Sequence, residues 1–213
     1  MRISHEHKFI FFAVPRTGST TVRSVLDEYS DVRSVHITET TEDHPFYHHI
    51  SPRETKEIFK ERGWDWGEYR KFCFVRNPFD RAVSLFHHRL KMQRDGWGQE
   101  LRQRAKLLIS KKNMFEKFVY NRIKDWGRLE EPVTHFVADE AGNCIVNDIL
   151  KFENMNNKLV EYVNEMCIKG KIDSIPHKNS SDRQSYEKYF DQNTHQLVQS
   201  VYKKDLRKFG YRF

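Results

Sequence analysis

The chain has 213 residues, with 37 Lys and Arg against 30 Asp and Glu, a formal charge of +7, and a sequence pI near 9.2. Its length suits one packed domain spanning 1–213, and sixteen Phe, nine Tyr and four Trp supply a core that a disordered chain lacks. Basic residues are spread along the whole chain, which favours an anionic ligand without choosing among nucleotide, acidic polysaccharide and nucleic acid.

Taken in order, the first seven residues are polar, and the apolar stretch that follows ends at Pro15 without a cleavage site, so no signal peptide is read. The run Phe9 to Val14 then passes through Pro15-Arg16-Thr17-Gly18-Ser19-Thr20-Thr21 into Val22, Val25 and Leu26, spaced for one helix face. This is strand, hydroxyl-rich loop, helix. Such a loop aims backbone N–H groups, hydroxyls and the positive end of a helix at one point beside a cation, and that point binds phosphate or sulfate. A plain strand-to-helix turn with capping hydroxyls reads the same locally.

The helix should run to Tyr29, followed by a short strand at 32–37, an acidic surface loop at 38–44 and an aromatic, histidine-rich turn at 45–50. Ser51-Pro52-Arg53-Glu54 is a helix start, with Ser as N-cap, Pro at the first position and Glu at the third, and Gly63 should end it. Lys71 to Val75 is a second buried strand, delivering Arg76-Asn77-Pro78-Phe79-Asp80-Arg81 to a helix carrying Ala82, Val83, Leu85 and Phe86. Strands alternating with helices predict an α/β fold, a central parallel sheet flanked by helices, with ligands at the carboxyl ends of the strands. Both arginine loops belong at that edge.

Residues 90–126 read as a helical insertion in the middle of the domain, with a charged, solvated face. The turn 139–143 separates two apolar pieces, either a hairpin or the end of one element and the start of another. A strand at 149–152, a helix at 159–166, a polar loop at 175–181 and a terminal helical pair ending at Gly210 complete the chain. No internal repeat is present beyond the two loop units.

The nucleoside triphosphatase loop, G-x-x-x-x-G-K-[ST], is absent: Gly18 stands alone, no lysine follows it, and the cation, Arg16, precedes it. Together the loops AVPRTGSTT at 13–21 and FVRNPFDRAVSLF at 74–86 resemble the 5′-phosphosulfate and 3′-phosphate motifs of sulfotransferases that use 3′-phosphoadenosine 5′-phosphosulfate, PAPS. His49-Ile50-Ser51-Pro52-Arg53-Glu54, Phe152-Glu153-Asn154-Met155 and the ending from Val201 to Tyr211 are similar to the branch that sulfates carbohydrates.

The resemblance implies a P-loop-like phosphosulfate-binding loop of Arg16, Thr17, Gly18, Ser19, Thr20 and Thr21, and a 3′-phosphate grip by Arg76 and Ser84. Lys178 and Ser180 would close a polar loop over the nucleotide. It further implies transfer of a sulfuryl group from PAPS to an acceptor hydroxyl or amine, on a glycan or a small hydroxyl compound, with PAP (adenosine 3′,5′-bisphosphate) as product and no metal. Many members carry Lys where Arg16 stands, and Arg cannot give up a proton. For the base His49 comes first, because the 2-O-sulfating branch uses a histidine after a Tyr-His lead. His48 is the runner-up, with Glu39, Glu42 or Asp43 if the acidic loop folds inward.

A nucleotide-kinase-type phosphoryl transferase and a non-catalytic module for anionic polymers are the competing readings. The first lacks its loop, and the second lacks a basic cluster with interleaved aromatics, so no nucleic-acid partner is expected. Cys73, Cys144 and Cys167 are odd in number and widely spaced, which gives neither a disulfide framework nor a zinc site and fits a reducing, cytoplasmic setting. No run is long enough to span a membrane. Nothing in the sequence speaks to the oligomeric state.

Overall fold

The computed structural model describes residues 1–95, 111–127, 129–166 and 184–213. The chain divides into two compact units, one made of Met1–Arg76 and Val133–Ser181, the other of Asn77–Pro132 and Asp182–Phe213.

The first unit is built on a five-stranded mixed sheet. Its central part is parallel, as alternating strands and helices require. β2 (Phe9–Phe12) pairs with β4 (Arg70–Val75) in the register Phe9 to Arg70 and Phe12 to Cys73, and β4 pairs in parallel with β5 (Asp148–Lys151). All four residues of β2 are buried, which is why the run is apolar throughout rather than alternating. The other edge is antiparallel. β1 (Arg2–Ser4) forms a hairpin with β2 across a turn in which Lys8 has φ 51, and β3 (Val32–Arg33) pairs with β1. Four connecting residues suffice for an antiparallel partner, whereas a parallel one needs a crossover of a dozen or more.

α1 (Ser19–Leu26) and α6 (Met155–Glu165) cover one sheet face, packing Val22, Leu26, Leu159, Tyr162 and Val163 on Phe9, Phe11, Phe72 and Phe74. On the other face Phe12 meets Trp66, and Trp66 meets Phe59 of α2 (Pro52–Glu61) with centroids 5.4 Å apart. The start of α2 has the expected capping box: Glu54 N–H donates to Ser51 Oγ at 3.2 Å, and Ser51 N–H donates back to Glu54 Oε2 at 3.0 Å. Residues 133–146 are no regular hairpin, since Val133–Phe136 is a short helix, α5, followed by one bridge between Ala138 and Cys144.

The second unit is helical. α3 (Pro78–Asp95), α4 (Lys111–Phe118) with its π-helical extension Val119–Ile123, α7 (Gln192–Val201) and α8 (Lys203–Phe209) bury Phe79, Val83, Phe86, Phe115, Val119, Val198 and Tyr202. Gly210, at φ 65, ends α8 in the left-handed conformation that glycine tolerates. Polar groups close the interior: Arg81, 1% exposed, donates to the carbonyls of Glu131 and Leu129 at 2.8 and 2.9 Å. Arg89 pairs with Glu130 at 2.6 Å, and Tyr202 donates its hydroxyl to the Glu130 carbonyl. No described helix is long and apolar enough to cross a membrane.

Candidate active site

β2 and β4 are neighbours and parallel, so the residues that follow them emerge at the same edge. After β2 the chain turns through Arg16, exposed and at φ 64, and Gly18, at φ 79, into α1. Only glycine fits at 18, because a Cβ there would stand 2.7 Å from Met155 Sδ and 2.9 Å from Phe152 Cε2. No side chain caps α1 and no acidic residue lies in its first turn. Thr21 N–H donates to the Gly18 carbonyl at 3.0 Å, so an anion here would meet the helix dipole and the N–H groups of Ser19 and Thr20, with no first-turn carboxylate to compete.

The loop hydroxyls divide. Thr17 is 1% exposed and gives its proton to the Val14 carbonyl at 3.0 Å, so it can meet an anion through its backbone N–H alone. Ser19 and Thr21 are buried, at 7% and 4% exposed, whereas Thr20 is exposed. Of the three it is the one whose side chain stands in solvent.

After β4 comes Arg76, whose Nη1 donates to the Arg16 carbonyl at 3.1 Å and whose guanidinium lies over the Phe152 ring at 4.3 Å. The two loops are joined through this one side chain. Asn77 accepts from the Phe79 N–H at 3.1 Å and so caps α3. Ser84, 5% exposed, sits in α3 in the second unit. Lys178 and Ser180 lie outside the described residues.

His49 Nδ1 lies 2.6 Å from the carbonyl of Ala13, at the end of β2. A carbonyl only accepts, so Nδ1 carries the proton and Nε2 is left as the basic nitrogen. Its pKa is lowered to about 4, chiefly by burial, with the Ala13 bond opposing and cations such as Arg23 adding to the fall. His48 is likewise lowered to about 4, by burial and then by Arg23, but its Nδ1 is held 2.9 Å from Ser34 Oγ. Ser34 donates to the Met1 carbonyl at 3.0 Å, and the Met1 nitrogen donates to the His48 carbonyl at 2.9 Å. His48 therefore belongs to a network that pins β1 to the turn. Tyr47 fixes the same turn from the other side, donating to Glu54 Oε1 at 2.7 Å.

The acidic loop does not fold inward. Glu39, Glu42 and Asp43 are exposed, and Glu39 is used to cap the turn at His36 through a 3.1 Å bond. His87 is bonded to Tyr189 at 2.8 Å in the second unit. Among the described residues no three His, Cys, Asp or Glu side chains form a group that could hold a metal ion. Sequence reasoning missed Phe152 as a contact of both loops and Arg23 as a neighbour of both histidines. Arg23 sits in α1 with Nε buried and, among the described residues, without a hydrogen-bond partner.

No curated protein matches the chain. A family model described as "Sulfotransferase family" matches residues 1–212, almost the whole length over which this edge, its two loops and the helical unit are built. The chain belongs to the sulfotransferase family.

Proposed function

We propose that the chain moves a sulfuryl group from PAPS to a hydroxyl, or amine, of a carbohydrate acceptor. One observation carries this reading: neighbouring parallel strands deliver Arg16 and Arg76 to one edge, where Arg76 Nη1 bonds the Arg16 carbonyl at 3.1 Å. The uncapped start of α1, without a first-turn carboxylate, and the cramped Gly18 suit a phosphosulfate. Similarity of residues 49–54, 152–155 and 201–211 to the carbohydrate branch supports the acceptor class, and the +7 charge suits an anionic partner.

When bound, PAPS supplies a sulfuryl group carried on a phosphate leaving group. Arg16 and the first-turn N–H groups of α1 stabilise the charge that grows on the bridging oxygen. His49 takes the acceptor proton at Nε2 while the acceptor O–S bond forms and the S–O bond to the 5′-phosphate breaks. Its anchor, Ala13, precedes Arg16 by three residues, at most ~11 Å of chain. With a pKa of about 4 the imidazole is neutral near pH 7 and ready to accept. An anionic donor beside it raises that pKa toward the working range.

Labelled PAPS offered with desulfated glycans, phenols and peptides tests the reading. Label should pass to a glycan, and adenosine 3′,5′-bisphosphate should bind without magnesium. His49→Ala should keep that binding and lower turnover by about 10²–10⁴. Unchanged turnover would move the base elsewhere, transfer to phenols alone would replace the acceptor class, and nucleotide binding that requires magnesium would favour phosphoryl transfer.

A further inference from the structure

Gly18 and Arg76, from two separate motifs, meet around one aromatic ring. Phe152, in the turn after β5, lies under the Arg76 guanidinium, Cζ 4.3 Å from the ring centroid. Its edge also closes on Gly18, where a Cβ would be 2.9 Å from Cε2. Arg76 Nη1 holds the carbonyl of Arg16 at 3.1 Å, and Arg16 is a non-glycine residue at φ 64. Such a backbone persists only where its surroundings hold it. One guanidinium thus steadies the strained residue of the loop while resting on the ring that packs the loop's glycine.

Resting on the PAPS reading above, we propose that the contact from Phe152 through Arg76 to Arg16 is a donor-specificity device, in which a 3′-phosphate on Arg76 braces the 5′-phosphosulfate loop. A guanidinium is a planar fork, and stacking on a ring fixes the plane of that fork. An anion held on it removes motion from Arg76, and through the Arg16 carbonyl from the loop, so the loop loses less freedom when its own anion arrives. The two phosphates then bind cooperatively. Nucleotides without a 3′-phosphate meet an unbraced loop and are selected against.

Calorimetric affinities of adenosine, its 3′-monophosphate, its 5′-monophosphate and its 3′,5′-bisphosphate test this with the full chain, Phe152→Leu and Phe152→Tyr. The readout is the factor by which the 3′-phosphate improves affinity for the 5′-phosphate. It should be about tenfold in the native chain, be retained in Phe152→Tyr, and vanish in Phe152→Leu while that variant still melts cooperatively. If Phe152→Leu fails to fold, Arg76→Lys takes its place, since lysine keeps the charge and loses the fork, and coupling should again vanish. Additive phosphate contributions in the native chain, or coupling that survives in the Leu or Lys variant, overturn the brace and leave the PAPS reading standing. Failure of the native chain to bind the bisphosphate at all overturns both.

Discussion

Arg76 and Arg81 stand five residues apart in one motif, and the structure gives them opposite surroundings. Arg81 is 1% exposed, its guanidinium taken by the Glu131 and Leu129 carbonyls and facing the Tyr202 ring at 6.0 Å. Arg76 is only half-buried, at the end of β4, resting on Phe152. The motif therefore mixes a structural arginine with a half-buried one, the arginine proposed to bind the nucleotide. What separates them is solvent access at a strand end, not residue type.

Arg81→Ala should have the larger effect on folding. Two part-buried carbonyls lose their donor and the space of a fully buried side chain is emptied, so chemical denaturation should show a loss of about 3 kcal/mol. Arg76→Ala reverses the pattern: adenosine 3′,5′-bisphosphate affinity should fall at least about 100-fold, or ~2.7 kcal/mol, with unfolding changed by about 1 kcal/mol. Equal effects of the two variants on both measurements would erase the distinction. Gly18→Ala tests the same edge through its backbone, since φ 79 and the close Met155 and Phe152 atoms leave no room for a Cβ. A loss of ~1–3 kcal/mol is expected, together with weaker nucleotide binding.

A pH dependence follows from two histidines of the first unit. His48 and His49 have folded pKa values of about 4, against an ordinary 6.5, so below pH 6.5 the unfolded chain binds more protons than the folded one. Stability should decline as pH falls from 6.5 through 4, and the decline should weaken in a His48→Gln, His49→Gln double variant followed by denaturant titration at several pH values.

Much of this was legible because the decisive signals are local. The apolar run, the single Gly18, the Ser51 to Glu54 cap and the repeated strand-loop-arginine design are each written in consecutive residues, and parallel strands place both loops together. β1 was not legible. Three residues carry no usable alternation, and the buried Arg2, held by Asp27 at 2.5 Å, disguises a strand as a polar start. The His49 anchor was equally hidden, because its partner is a backbone carbonyl 36 positions away and carries no side-chain signature. Phe152 enters the sequence reading only as a strand end and as part of the 152–155 similarity, and its contact with Arg76 shows once the sheet brings β5 beside β4.

Arg16, finally, sets a conflict between durability and turnover. A left-handed conformation costs a residue with a Cβ about 1–2 kcal/mol, so selection for heat resistance alone should favour Arg16→Gly, at the expense of the cation proposed to stabilise the leaving group. Lysine, common at this place in the resembling enzymes, keeps both strain and charge and loses only the planar fork. A library varied at position 16, sorted once by residual structure after heating and once by label transferred, should enrich glycine in the first sort and arginine or lysine in the second.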